Sequence, residues 1–166
     1  MAVKVLGSCG DGALEAFQRE VLCLKALRHA NIVQYMGWFK SASRRLEPAS
    51  LCIVTELCAG TLHDYIHKTP KDPALHTAHR WLYMALDAAR GVCFLHGASV
   101  VHRDIKPSNC LIGRGGVLKV ADFGLSSFME AGGLPASGPA KGTPGYCAPC
   151  VRSCRVLPMP FVASPL

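Results

Sequence analysis

The chain has 166 residues, half of them hydrophobic, which is enough for one domain with a buried core. Its 18 Lys and Arg residues exceed its 11 Asp and Glu residues, but they are scattered and match no nucleic-acid-binding motif, so we expect no nucleic-acid partner. The chain has nine cysteines and its N-terminus does not resemble a signal peptide, which is typical of a protein with reduced thiols. Asp87 and Arg90 interrupt the apolar run of residues 81–95. These features exclude a disulfide framework and a membrane span and indicate an intracellular, cytoplasmic protein.

Strand and helix patterns alternate in the first half of the chain. Residues 1–6 are apolar except for Lys4 and predict a strand. Apolar residues then recur at helical spacing, so residues 13–27 predict an amphipathic helix. Its core-facing stripe is formed by Leu14, Phe17, Val21 and Leu24. Residues 32–39 and 51–56 predict two more strands, joined by a basic, Ser-rich loop.

The second half of the chain predicts two helices followed by a hairpin. A short helix is predicted at residues 62–67, and apolar residues at helical spacing predict a long one at residues 76–96. Residues 110–112 and 117–121 flank a glycine-rich turn, so they predict a β-hairpin. The second strand of this hairpin leads directly into Asp122.

Glu20 lies on the apolar stripe of the first predicted helix. A carboxylate buried on such a stripe costs several kcal/mol unless a cation neutralises it, and Lys4, alone in its apolar strand, has the complementary need. The alternative is that both side chains lie at the edges of their elements and reach water. The motifs that follow favour an ion pair between Lys4 and Glu20.

Two short motifs carry the chemistry of this chain. Residues 102–109 read His-Arg-Asp-Ile-Lys-Pro-Ser-Asn, and residues 122–124 read Asp-Phe-Gly. A polar loop in which Asp104 and Asn109 cap turns would account for single residues but not for their order. The two motifs resemble the catalytic loop and the metal loop of protein kinases.

This resemblance implies a role for each polar residue of the two motifs. Asp104 would act as the catalytic base and Lys106 would contact the transferred phosphoryl group. Asn109 and Asp122 would hold Mg²⁺ through hard oxygen ligands. The predicted pair of Lys4 and Glu20 matches the lysine–glutamate pair that positions the phosphates of ATP in kinases. His102 and Phe123 would be packing residues that support the catalytic loop.

The segment from Thr55 to Cys58 resembles the hinge between the two kinase lobes. The resemblance implies that backbone groups of Glu56 and Cys58 bind the adenine edge, with Thr55 as the gate of the pocket. Ala2 and Leu111 would sandwich the adenine ring. Periodicity alone predicts a buried strand that runs into a turn, and the two interpretations are compatible.

Two further segments bear on the class of kinase. Residues 142–149 resemble the end of a kinase activation segment, where Thr143 would approach the catalytic acid. Together with Lys106, this segment favours serine and threonine hydroxyls of a protein substrate as phosphate acceptors. Residues 31–37 resemble the tyrosine-kinase-like branch of the serine/threonine kinases.

We therefore expect an α+β fold, a partial two-lobe protein kinase fold truncated at both ends. The small-lobe part would span residues 1–55 and lack its first two strands. Residues 56–60 would form the hinge. The large-lobe part would span residues 61–149, without its C-terminal helices, and include a mobile stretch at residues 126–141. Residues 150–166 are expected to form a disordered tail.

The resemblance implies an ATP- and Mg²⁺-dependent protein kinase that phosphorylates serine and threonine residues of proteins. Two alternatives remain open. The chain could be a catalytically inactive, truncated kinase that acts as a binding or competitor module, or it could be an incomplete gene product. Catalysis of phosphoryl transfer is mostly positioning and electrostatics, so missing supports would harm activity even when every reacting residue is present.

Overall fold

The computed structural model describes residues 1–6, 11–41, 50–68, 77–129 and 142–148. The predicted tail at residues 150–166 and most of the stretch predicted to be mobile lie outside the described residues. Within the described ranges, helices and short antiparallel sheets are combined, as the α+β prediction requires. No helix in these ranges is both long and apolar enough to cross a bilayer.

An antiparallel sheet with one helix forms the N-terminal part of the fold. The strands are β1 (Ala2–Leu6), β2 (Tyr35–Lys40) and β3 (Leu51–Thr55), with β3 in the centre. The helix α1 (Asp11–Ala26) packs on this sheet through Phe17, whose ring contacts Trp38 edge-on with 5.6 Å between centroids. This packing directs Glu20, the polar residue on the apolar stripe of α1, toward Lys4 on β1.

The strand predicted at residues 32–39 begins later than the pattern indicates, at Tyr35. Ile32 forms a parallel bridge with Val120 instead, and the backbone N–H of Val33 donates to the carbonyl of Val120 at 2.9 Å. Ile32 and Val33, the apolar residues before β2, therefore pair with Val120 and not with β3. They join the N-terminal sheet to the hairpin that precedes Asp122.

The C-terminal part is built on two helices. After β4 (Gly60–Thr61), α2 (Leu62–His67) matches its prediction and starts where the Thr61 side chain accepts a hydrogen bond from Asp64. The long helix α3 (Ala78–Gly97) starts at Thr77, which caps it in the same way. These caps satisfy backbone N–H groups that the helices leave unpaired.

Four short strands complete the C-terminal part. The predicted hairpin is present as β6 (Cys110–Ile112) and β7 (Leu118–Val120). A pair that the sequence did not predict joins β5 (Val100–Val101) to β8 (Ser127–Phe128), so the first residues of the stretch predicted to be mobile form a strand. Residues from both parts of the fold share one core, with Phe17, Leu24, Ile53, Leu95, Val120 and Phe123 among its buried members.

Candidate active site

Lys4 lies between two acids that come from distant parts of the chain. Its Nζ is 2.8 Å from Oε1 of Glu20 on α1 and 2.7 Å from Oδ1 of Asp122. Glu20 is only 3% exposed, so the alternative in which it reaches water is wrong and the predicted ion pair is present. The contact of Lys4 with Asp122 was not predicted.

The charges of this group, Lys4, Glu20 and Asp122, support one another. Burial lowers the pKa of Lys4, but the hydrogen bonds to Asp122 and Glu20 outweigh it and hold that pKa above its ordinary value. Burial raises the pKa of Asp122, but the hydrogen bond from Lys4 and its charge outweigh it and hold that pKa below the ordinary range. Lys4 and Asp122 are therefore both charged at neutral pH.

The hairpin of β6 and β7 brings Asn109 close to Asp122. Cys110 pairs with Val120 in this hairpin, and the backbone N–H of Ala121 donates to the carbonyl of Asn109 at 2.9 Å. The two residues that were predicted to hold a metal ion thus lie at the same end of the hairpin, with Asn109 directly before β6 and Asp122 two residues after β7. Asp122 leaves the hairpin with a φ of 62°, in the left-handed region, which changes the direction of the chain at this point.

Asp104 is the buried acid of the predicted catalytic loop, 7% exposed. Its Oδ2 is 2.7 Å from Nζ of Lys106 and accepts a hydrogen bond from Nδ2 of Asn109 at 2.9 Å. Its Oδ1 accepts from the backbone N–H of Thr143 at 2.9 Å and from the Thr143 hydroxyl at 2.7 Å. The predicted approach of Thr143 to this acid is confirmed.

These contacts keep Asp104 ionised. Burial raises the pKa of its carboxyl group, but the hydrogen bonds from Lys106 and Thr143 outweigh it and lower that pKa to about 2. Lys106 also donates from Nζ to the Thr143 hydroxyl at 2.6 Å. A hydroxyl group placed between Asp104 and Lys106 is therefore contacted by an anion and a cation at once.

His102 and Phe123 are packing residues that support the predicted catalytic loop, as expected from the sequence. Both are buried, and their rings contact each other edge-on with 5.0 Å between centroids. Nε2 of His102 lies 2.9 Å from the carbonyl of Ala121, and its Nδ1 accepts from the N–H of Asp104 at 3.3 Å. Burial lowers the pKa of His102, so this side chain is a neutral structural link between the two motifs.

The segment predicted as a hinge follows β3 directly. The register of β1 and β3 places Ala2 opposite Thr55, while Leu111 lies half-buried on β6. Cys58 is half-buried too, and burial raises the pKa of its thiol. The structure therefore brings Ala2 next to the predicted gate residue Thr55.

The Glu56 side chain makes contacts that sequence reasoning missed. Its Oε1 lies 2.9 Å from Nζ of Lys119 on β7 and accepts from the N–H of Gln34 at 2.8 Å. Lys119 also donates to the carbonyl of Ala30 at 2.9 Å. A lone lysine in an apolar strand was the available signal, since the same signal led to the prediction for Lys4. The segment predicted as a hinge is thus tied to the hairpin of the C-terminal part.

Metal-binding potential at the site rests on few side chains. Within the described ranges, no three His, Cys, Asp or Glu side chains cluster closely enough to hold a metal ion. Asn109 uses Nδ2 for its hydrogen bonds to the carbonyl and the carboxylate of Asp104, so neither bond involves its Oδ1. A carboxylate and an amide oxygen suit a hard cation that retains water ligands.

Comparisons with known proteins agree with this geometry. Residues 1–156 match the family of the protein kinase domain. The chain is 44% identical over 140 residues to the probable serine/threonine-protein kinase SIS8 of Arabidopsis thaliana, covering 82% of this chain and 13% of that protein. It is 41% identical over 154 residues to the serine/threonine-protein kinase CTR1 of the same plant, covering 90% of this chain and 18% of CTR1.

A third relative comes from another organism. The probable serine/threonine-protein kinase drkA of Dictyostelium discoideum is 37% identical over 157 residues, covering 90% of this chain and 22% of drkA. The chain thus spans less than a quarter of the length of each of these three relatives. Its motifs, its geometry and these matches place it in one family. The chain belongs to the protein kinase domain family, as its two motifs predicted.

Proposed function

We propose that the chain is part of an ATP-dependent protein kinase that transfers the γ-phosphate of ATP to serine and threonine hydroxyls of proteins. The observation that carries this proposal is the position of the Thr143 hydroxyl. It donates to Asp104 at 2.7 Å and accepts from Lys106 at 2.6 Å, as an acceptor hydroxyl of a substrate would. A general base must lie within this distance of the proton that it receives.

The proposal gives each residue of the catalytic loop a role. Asp104 takes the proton of the attacking hydroxyl, and Lys106 stabilises charge on the transferred phosphoryl group. Asn109 and Asp122 would hold Mg²⁺, and that ion would supply positive charge against the phosphates. Their oxygens fit this ion, and the two residues lie at the same end of the hairpin, since Asn109 precedes β6 and bonds Ala121, the residue before Asp122.

ATP would lie between the sheet and the hairpin. Lys4, held by Glu20, contacts the α- and β-phosphates, and the rest of the nucleotide site lies at the hinge. The hinge residues in this proposal are Ala2, Thr55, Glu56, Cys58 and Leu111. The corresponding organisation is a small-lobe part at residues 1–55, a hinge at residues 56–60 and a large-lobe part at residues 61–149. The relatives named as serine/threonine kinases and the segment at residues 31–37 support the tyrosine-kinase-like branch.

Transfer of labelled phosphate tests the proposal. The purified chain is incubated with radiolabelled ATP, Mg²⁺ and a basic acceptor protein, and phosphoamino acids are separated afterwards. We expect label on serine and threonine, reduced by about 10²-fold or more in Asp104→Asn because the base is lost. Asp64→Asn, which removes an acid on the surface of α2, is the matched control and should leave transfer unchanged.

Two results would contradict the proposal. One is equal transfer by the Asp104→Asn variant and the unaltered chain. The other is the absence of transfer by a folded chain whose melting temperature is unchanged by ATP and Mg²⁺. The second result would favour a binding or competitor module instead.

A further inference from the structure

The short helix α2 carries two histidines one turn apart. His63 and His67 are four positions apart, so they lie on the same face of the helix. Both side chains are exposed, and their ring centroids are 4.6 Å apart with a tilt of 50°. Neither residue takes part in the kinase site described above.

The distance between the two rings matches the distance expected for two imidazoles that bind one metal ion. Imidazole nitrogens bind Zn²⁺ at about 2.0–2.1 Å, which places each ring centre about 3.2 Å from the ion. When the angle at the ion between the two bound nitrogens is between about 90° and the tetrahedral angle, the ring centres are about 4.5–5.2 Å apart. The observed separation of 4.6 Å lies in this range. We propose that His63 and His67 form a two-histidine site for Zn²⁺ or a similar divalent transition-metal ion.

The neighbouring charges are compatible with a cation at this place. Oδ1 of Asp64 lies 3.7 Å from Nδ1 of His63, so the carboxylate attracts a cation and faces the nitrogen that an Nε2-bound ion would leave protonated. The nearby ammonium group of Lys68 is held by Asp64 at 2.7 Å. Water would complete the coordination, since no third metal-binding side chain joins the pair within the described ranges.

The choice of ion follows from the ligands. Neutral imidazole binds Zn²⁺, Ni²⁺ and Cu²⁺ well, whereas Mg²⁺ prefers oxygen. The site on α2 is therefore chemically distinct from the Mg²⁺ site proposed at Asn109 and Asp122. It does not depend on the proposed kinase activity.

Binding at this site would stabilise a helix that supports the catalytic loop. α2 has six residues, too few to be stable without tertiary contacts, and an ion shared between His63 and His67 is made only in the helical conformation. α2 packs against the 3₁₀ turn Pro107–Asn109, which carries Asn109.

Calorimetry with Zn²⁺ and metal-free protein tests the proposal, with Mg²⁺ as the ion that should not bind to α2. We expect Zn²⁺ to bind, and His63→Ala and His67→Ala each to weaken binding at least about tenfold. His96→Ala, which removes an exposed histidine at the end of α3, is the matched control and should leave the affinity unchanged. Circular dichroism checks that each variant is folded.

A spectroscopic measurement separates this site from the cysteines of the chain. Cu²⁺ bound to two imidazoles shows hyperfine splitting from two nitrogens in its electron paramagnetic resonance spectrum, and this two-nitrogen pattern should be lost in each histidine variant, which keeps only one of the two imidazoles. Equal affinities of the unaltered chain and the two variants, or a copper spectrum without nitrogen splitting, would overturn the proposal. So would the absence of Zn²⁺ binding to the unaltered chain.

Discussion

Asp104 and Asp122 are both acids of the proposed kinase site, but the fold holds them in different ways. Asp104 is 7% exposed and accepts hydrogen bonds from three residues of its own loop and of the segment at residues 142–148. The side chain of Asp122 is 47% exposed and pairs with Lys4, which lies 118 positions earlier in the chain. One acid belongs to a buried network, and the other depends on a contact between the two parts of the fold.

This difference indicates which part of the proposed site is already formed without a nucleotide. The network around Asp104 lowers its pKa to about 2 without any ligand, so the proposed base is already ionised and oriented. Asp122 and Lys4 are both about half exposed, and each neutralises the other. Phosphates and Mg²⁺ would therefore replace an ion pair with new charge contacts at that end of the site.

Lys4→Met should have the largest effect on stability. It leaves the carboxylate of Glu20 buried without a cation, which costs about 3–5 kcal/mol in fully buried pairs. Lys4 is 42% exposed, so we expect a loss near the lower end, about 3 kcal/mol, in the free energy of unfolding by urea. The matched control is Lys68→Met, since the Lys68 pair with Asp64 is exposed and should contribute little.

A second variant makes this prediction sharper. Lys4→Met combined with Glu20→Leu removes both charges and should recover part of the lost stability. Equal stabilities of the Lys4→Met and Lys68→Met variants would show that the contact at Lys4 contributes no more than a surface pair. The contrast between a cross-fold ion pair and a local network would then lose its energetic basis.

Gly142→Ala should have an intermediate effect, on the network around Asp104. Gly142 has a φ of 120°, and an added Cβ would lie 2.5 Å from the carbonyl oxygen of Arg103. We expect a cost of about 1–3 kcal/mol in unfolding free energy and a displacement of Thr143 from Asp104. Gly145→Ala is the control, because its Cβ would meet nothing within 4 Å. Equal stability of the two variants would contradict the prediction.

Thr143→Val should have the smallest effect, on the pKa of Asp104. The hydroxyl is lost while Lys106 and the backbone N–H remain, so the pKa should rise from about 2 part of the way toward its ordinary value of 3.8. Because the folded-state pKa is the lower one, ionised Asp104 stabilises the fold above about pH 4, and this contribution is lost as the pH falls toward 2. The variant should lose it at a higher pH.

Carboxyl carbon NMR of the folded protein measures this shift directly. An unchanged titration of Asp104 in Thr143→Val would show that Lys106 and the backbone maintain the low pKa by themselves. In that case the hydroxyl of Thr143 would report the position of an acceptor without affecting the base.

Local patterns predicted much of the fold and the order of the site residues. The predicted helix at residues 62–67 agrees with the structure, and the hairpin differs only by one residue at each end of its second strand. The contact between Lys4 and Glu20 was predictable because Lys4 is the one charge in an apolar strand, Glu20 lies on the apolar stripe of α1, and the kinase motifs favour their pairing. The roles of these residues in phosphoryl transfer stay predictions until the chain is assayed.

Other features could not be read from local patterns. The late start of β2 arises because Ile32 and Val33 pair with Val120, almost ninety positions away. The strand at Ser127–Phe128 exists because it meets β5, although its sequence is typical of a loop. Such pairings depend on which distant segment the tertiary fold places beside the strand. The periodicity of apolar residues carries no information about this partner.

The sequence by itself determined the family, and it predicts the set of reacting residues, since catalytic groups must occur in a defined order along two loops. The tertiary structure decided how each acid is held. It placed Asp122 against Lys4, joined Glu56 to Lys119 and set Thr143 between Asp104 and Lys106. Those contacts arise when separate elements pack together, and their short distances in a partly buried site shift the pKa values of the acids.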